Sequence, residues 1–338
     1  MRKIIDKLLK VPKKVWGIGG IIFMILSLVA YGFSVYIDKI EIGSVADWYH
    51  TIVNFFPAIT QLAEFEGRWI FIVCTVIFVF LFWFSTVYKK KLFIIRHQSM
   101  SYDLAEIDEK VKERYYLNEH ILQQVGKIHI DNVENIAIEE IDQIATEAQI
   151  SQEQIAYYGI AHTPLVFRLG FKIGDQNNIM LLHKKRNNTA MFEEWTKGKS
   201  GIKIIFKEEN KSKKSEDLIV AVSTSLEIQK EHLKSLHSES KHIVYFTANY
   251  LGFDNVLSYD DAESLRTDIL FNIRELVKKY KIKKIHMAIS SSVAFTFFLA
   301  QGFSAQHDPE IIVYHYEQGN YPWGIIINGS ADSSYVKT

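Results

Sequence analysis

Two short segments of this 338-residue chain place hydroxyl and imidazole side chains directly in front of an apolar, helix-length run. In the first, His162 and Thr163 stand between Tyr157–Ala161 and Pro164–Gly174. In the second, Ser290, Ser291 and Ser292 stand between Ile285–Ile289 and Val293–Phe303. A turn of this kind presents first-turn backbone N–H groups that have no partner inside the helix, together with the positive end of the helix dipole. The chemistry this suits is anion binding. Further donors lie close in sequence. Arg168 is one turn into the first helix, and Lys184, Lys185 and Arg186 follow a strand ending at His183. Trp195, Tyr321 and Trp323 are aromatic surfaces on which a base could stack. Each feature has a plainer reading: serines before a helix are caps, a basic run is a solvated turn, and a tryptophan beside apolar residues is core. Two matched turns in one chain are stronger evidence than either alone.

Catalytic signatures are absent. The chain has no Walker A loop, no GxGxxG, no HExxH and no GxSxG. His232, His237 and His242 are five apart but cross the end of a helix, which reads as surface histidines rather than metal ligands. The acid pairs Glu139-Glu140, Glu193-Glu194 and Asp260-Asp261 fall at helix starts or turns. The single cysteine, Cys74, sits in an apolar run, which excludes an intrachain disulfide or a cysteine-based metal site. No catalytic residue, metal or cofactor is expected.

The elements that must hold these residues are strand, polar turn, buried helix, strand: a βαβ unit with continuously apolar strands, as in a parallel sheet covered on both faces. The unit occurs twice, at Ala156–Lys185 and Lys283–Tyr316, about 130 residues apart. Gly159-Ile160-Ala161 aligns with Ala288-Ile289-Ser290, and His183 with His315. Between and around the units the pattern predicts strands at Lys127–Ile130, Ile202–Lys207, Asp217–Thr224, His242–Ala248 and Gly324–Asn328. It predicts helices at Ile138–Gln149, Leu226–His237 and Asp260–Tyr280, the last capped by Asp260-x-x-Glu263. The pattern predicts that residues 126–338 are α/β, with a mostly parallel, covered sheet and one α/β unit used twice.

Residues 1–91 differ. Val15–Ile37 is uncharged for 23 residues and Trp69–Tyr88 for 20, each enough to cross a bilayer as a helix. Six basic residues precede the first segment, and Lys89, Lys90, Lys91 and Arg96 follow the second, which places both termini in the cytoplasm and residues 38–68 outside. Neither segment carries an ionisable side chain, which argues against an ion transporter. Within the outer loop, Ser44 to Pro57 reads as an interfacial helix or as a packed connector. Of the 39 Lys/Arg and 39 Asp/Glu, residues 1–91 hold 11 and 6, so the remainder is mildly acidic. That argues against a surface that coats duplex nucleic acid. Residues 92–125 read as a connector helix, with Leu104, Ile107, Val111, Tyr115, Leu117 and Ile121 on one face.

Tyr157–Trp195 (YYGIAHTPLVFRLGFKIGD…IMLLHKKR…FEEW) and Lys283–Trp323 (KKIHMAISSSVAFTFFLAQGF…IIVYHYEQGNYPW) together resemble a SAVED domain, the sensor module of bacterial cyclic-oligonucleotide anti-phage signalling (CBASS). Two spans ahead of such a domain resemble its membrane-effector subclass. The resemblance implies two fused Rossmann-like (CARF-like) subdomains. It also implies a cyclic oligonucleotide ligand, expected to be a cyclic trinucleotide, supplied by a partner nucleotidyltransferase. Binding would drive homo-oligomerisation and disruption of the bacterial inner membrane in abortive infection. The phosphates would meet the His162–Thr163 and Ser290–Ser292 turns, with charge from Arg168 and Lys184–Arg186. The competing expectations are a two-span receptor for another nucleotide or metabolite, and a membrane-tethered enzyme that degrades the messenger.

Overall fold

Apolar runs such as Leu92–Ile95, Ile155–Tyr158, Leu218–Val222 and Ile285–Ile289 are buried along their whole length, which only a sheet covered on both faces permits. The computed structural model describes residues 90–125, 136–175, 179–184, 191–210, 215–328 and 335–338. The chain divides into two compact units after Lys89. The expected spans at 15–37 and 69–88, the 38–68 loop and the strand at Lys127–Ile130 lie outside the described residues. Among the described residues no helix is long and apolar enough to cross a membrane.

The unit that begins at Lys90 holds two lobes. The first runs β1 (Lys90–Gln98), β2 (Glu106–Ile107), α1 (Glu109–Arg114), β3 (Tyr115–Gln123), α2 (Ile136–Ile150), β4 (Gln154–Ile160), α3 (Thr163–Ile173), β5 (Met180–Lys184) and β6 (Met191–Glu194). The second runs β7 (Ile204–Glu209), β8 (Asp217–Ser223), a 3-10 turn at Lys230–Leu236, β9 (His242–Ala248), α4 (Tyr259–Tyr280), β10 (Lys284–Ser290), α5 (Val293–Gln301), β11 (Glu310–Glu317), β12 (Asn320–Ile326) and β13 (Tyr335–Lys337). Among the described residues the strand orders are β2-β6-β5-β4-β1-β3 and β13-β12-β11-β10-β8-β9-β7. Within them β5-β4-β1-β3 and β11-β10-β8-β9 are parallel, and β6 and β12 pair antiparallel with their neighbours. With the two-residue β2 set aside, the same spatial permutation of five strands, β6-β5-β4-β1-β3 and β12-β11-β10-β8-β9, appears in both lobes, so the duplication expected from the sequence is a duplication of topology.

The ladders give the register between the copies. Tyr157 pairs with Ile95 in one lobe and Met287 with Val220 in the other. The N–H groups of Ser99 and Met100 donate to Ile160 O, as those of Thr224 and Ser225 donate to Ser290 O. Ile160 therefore corresponds to Ser290, and His162 to Ser292. The register expected from the sequence was one residue off. Such a slip exchanges the two faces of a strand: it would match Tyr157, which lies in the shared core, with His286, which faces away and bonds Tyr314 Oη at 2.8 Å. The match of His183 with His315 holds, because Leu181 pairs with Tyr157 as Val313 pairs with Met287.

A continuous core, from Phe93 and Ile95 to Ile325 and Ile327, runs through both lobes. Its centre is the packing of α3 on α5. A Cβ on Gly170 would lie 2.4 Å from Phe297 O, so the two helix backbones touch and only glycine fits. Tyr157 stacks on Phe297 with ring centroids 4.2 Å apart. Fully buried Arg168 of α3 donates Nε and Nη2 to the two carboxylate oxygens of Asp142 on α2, at 2.9 and 2.7 Å, and Nη1 to Ile326 O of β12 at 3.0 Å. One guanidinium thus ties two helices of one lobe to a strand of the other.

The expected connector helix at 92–125 is replaced by sheet. Lys90–Gln98 is an interior strand and Tyr115–Gln123 an edge strand, with only Glu109–Arg114 helical between them. Of the expected stripe, Leu104, Ile107, Val111, Tyr115 and Leu117 do pack into one core cluster, but largely from strand and loop. Ile121 is 56% exposed, and at that end the inward residues are Leu122 and His120, whose ring stacks on Phe93 at 3.7 Å. A polar residue in an inward position hid the period of two. The helix expected at Leu226–His237 shrinks to the 3-10 turn. The cap of α4 is Ser258, whose hydroxyl accepts from Asp261 N, rather than Asp260.

Candidate functional site

Parallel strands deliver their carboxyl ends to one edge of a sheet, and the helices that follow start there. In the second lobe that edge is built from β8, β9 and β10. Ser290 Oγ accepts from Leu226 N at 3.1 Å, Ser291 Oγ accepts from Thr224 Oγ1 at 3.1 Å, and Ser292 Oγ caps α5 by accepting from Phe295 N at 3.2 Å. All three serines are half-buried, and every one is used as an acceptor. Each hydroxyl proton therefore remains available to an incoming acceptor. Hydroxyl donors beside the open first turn of a helix are the chemistry that suits an anion.

The corresponding edge of the first lobe carries imidazole. Ser99 Oγ accepts from His162 N at 2.8 Å and lies 2.7 Å from His162 Nδ1. His162 stands at the N-cap of α3 but makes no side-chain cap bond, and Pro164 supplies the preset backbone of the first turn. The His162 ring meets His315 of the second lobe, with centroids 4.6 Å apart, and Trp323 at 5.8 Å. Behind it, His97 lies 3.2 Å from both Tyr157 Oη and Gln124 Oε1. Burial drives all three histidines down, His162 and His97 to about 4 and His315 to about 3. For His97 and His315, the neighbouring His162 adds to the effect. The cluster is neutral at pH 7, and His315 Nδ1 is buried without a hydrogen-bond partner among the described residues.

The sequence profile described as "SMODS-associated and fused to various effectors sensor domain" (SAVED) matches residues 139–327, more than half of the chain. The chain belongs to the SAVED family. No curated protein matches it. Among solved structures it is similar to the Acinetobacter baumannii Cap4 SAVED/CARF-domain receptor in its complexes with the cyclic trinucleotides 3'3'3'-cAAA and 2'3'3'-cAAA. In both, identity is 12%, the TM-score is 0.47, and the match covers 78% of this chain and 60% of that one. The Moraxella osloensis Cap4 receptor matches at 11% identity with a TM-score of 0.40, over 78% and 58%. The chain thus spans about three-fifths of the Cap4 chains.

The SAVED domain brings some of the expected site residues together and separates others. His162 and Thr163 lie at one strand-end turn, and Ser290, Ser291 and Ser292 at the other. Lys184 is half-buried at the end of β5, whereas Lys185 and Arg186 lie outside the described residues. Arg168 leaves the site: its guanidinium faces the interior and is taken by Asp142 and Ile326 O. Tyr321 also leaves it, 1% exposed in the outer core of the second lobe beside Tyr316. A bulge in the β11–β12 ladder turns Tyr321 and Trp323 to different faces. Trp323, 2% exposed, is a wall of the imidazole turn rather than an open stacking surface. Trp195 is core, edge-on to Tyr259 and Phe298.

Sequence reasoning missed Ser99 and Thr224, which complete the two turns. Thr224 was within reach, because it ends a strand next to the one ending at Ser290. Ser99 was hidden by the helical reading of 92–125.

Proposed function

We propose that this SAVED-family chain is a sensor of a cyclic oligonucleotide, read at the two strand-end turns and reported through residues 1–89. The observation that carries this reading is the pair of topologically equivalent turns, one with three hydroxyl protons to give and the other walled by neutral histidines. Family membership supports the ligand class, and the cyclic trinucleotides bound by Cap4 make this ring size the first to test. On this reading a partner nucleotidyltransferase makes the messenger, and the bound chain forms homo-oligomers. The segments at 15–37 and 69–88, in a bacterial inner membrane with both termini cytoplasmic, then disrupt the bilayer. Titration calorimetry of the detergent-purified full chain with a panel of cyclic di- and trinucleotides tests the sensing step, and no binding by any of them overturns it. Dye release from vesicles carrying the chain, with and without messenger, separates a membrane-disrupting effector from a receptor that signals to another protein.

We take the chain to be non-catalytic. The pairing of Ser99 with His162 has the spacing of a nucleophile and its base. Ser99, however, is only 3% exposed and its oxygen already accepts the His162 amide proton, so it is not presented to a substrate. Linear products on incubation with the bound messenger would reverse this assignment.

A further inference from the structure

We infer that Leu226, Tyr250 and Leu251 form an apolar rim that takes a nucleobase of the ligand, beside the hydroxyl turn that takes its phosphate. The inference rests on the sensor reading above and adds the part of the ligand that is read by side chains nobody would choose for an anion. These residues are 58, 42 and 40% exposed. Single exposed apolar residues carry no message, but a contiguous group does. The group is held together through Thr224: its carbonyl accepts from Gly252 N at 3.1 Å and from Asn255 Nδ2 at 2.7 Å, and its hydroxyl donates to Ser291. Leu226, two residues on, donates its N–H to Ser290 Oγ. The backbone segments that carry the rim are therefore bonded directly to the serine turn.

The loop that carries Tyr250 and Leu251 is fastened on several sides. Asn255 Nδ2 also bonds Tyr250 O, Tyr250 Oη lies 2.8 Å from Ser200 Oγ, and Asp254 pairs with His183 Nε2 of the first lobe at 2.9 Å. Apolar side chains held out in water by a fixed backbone are preorganised for a flat apolar partner. A ligand that must satisfy hydroxyl donors at one end and an apolar rim at the other is a nucleotide, with phosphate on the serines and base on the rim. Inorganic phosphate would use only the first half.

The test measures the affinity of the full chain for 3'3'3'-cAAA or whichever cyclic di- or trinucleotide of the panel binds. Tyr250→Ala and the double variant Leu226→Ser with Leu251→Ser are expected to weaken binding by roughly ten-fold or more, the scale of one lost base stack. Tyr250→Phe keeps the ring and is expected to bind like the parent chain. Phe271→Ser, on a still more exposed apolar residue of α4, is expected to change nothing. Parent-like affinity in the rim variants, with melting temperatures unchanged, overturns the rim while the sensor reading stands. A parent chain that binds no member of the panel overturns both.

Discussion

The two strand-end turns occupy equivalent places in duplicated lobes, yet one is built from hydroxyls and the other from imidazoles. In the second lobe Thr224 and Ser290–Ser292 are interlocked by hydrogen bonds that leave protons to donate. In the first, Ser99 spends its hydroxyl on His162, and His162, His315 and Trp323 close the space with rings. The duplication has kept the backbone, which supplies helix N-termini in pairs, and let the side chains diverge. A ligand lying across both turns would meet unlike chemistry at its two ends, so a symmetric surface is not what this fold presents.

The comparison presupposes that the lobes hold each other in place, and the largest expected effect comes from breaking that. Asp142→Ala leaves the buried Arg168 guanidinium without its carboxylate, which costs about 3–5 kcal/mol. Because Arg168 also holds Ile326 O, both lobes are expected to melt together at a lower temperature. Two separated transitions in calorimetry would show that the lobes are independent and would remove the structural basis of the comparison.

Acid separates the turns next. His97, His162 and His315 have folded-state values far below the ordinary 6.5, so protons favour the unfolded chain. Their stabilising contribution is complete above pH 6.5 and falls away as the pH drops toward 4. For fully buried His97 alone the loss by pH 4 is about 3 kcal/mol. His97→Gln is expected to flatten the acid limb of a urea-denaturation profile measured from pH 7 to pH 4. An unchanged slope would mean that the first-lobe cluster is not held neutral.

Removing a donor from the hydroxyl turn comes third. Ser291→Ala takes away a hydroxyl proton but not a cap, since the cap belongs to Ser292. Ligand affinity is expected to fall by the worth of a hydrogen bond to a charged group, about 1.5–3 kcal/mol, alongside a loss of stability of about 1–3 kcal/mol because the buried Thr224 hydroxyl loses its acceptor. Equal affinity in calorimetry would move the phosphate elsewhere.

The sequence carried the βαβ units, the parallel covered sheets and the place of both turns. Strands such as Leu218–Val222 are apolar throughout, and the polar residues that end them are unmistakable. What it hid follows from two physical causes. Lys90–Gln98 and Tyr115–Gln123 pair with strands distant in sequence, and with polar residues such as His97, Gln124 and His120 turned inward their pattern imitates an amphipathic helix. Arg168, Tyr321 and Trp323 had the right chemistry for a ligand, but their direction is set by tertiary packing. One is claimed by Asp142, and the other two are turned inward on either side of a bulge. Residue type shows what a side chain could do; only the ladder register shows which way it faces.

The finest separation concerns Ser292, where a cap and a ligand contact would use the same oxygen. Ser292→Ala is expected to lower stability by about 1 kcal/mol through loss of the bond to Phe295 N, whatever the ligand does. Ser292→Asp distinguishes the roles. A carboxylate at the N-cap accepts the same amide proton and is favoured by the helix dipole, so stability should match or exceed that of the parent. The same negative charge now fills the place of an incoming phosphate, and binding should be lost. If the aspartate variant is as stable as the parent and still binds, the serine is a cap and nothing more. The equivalent position, His162, makes no side-chain cap, and His162→Asp there would test whether the imidazole turn tolerates charge where the hydroxyl turn does not.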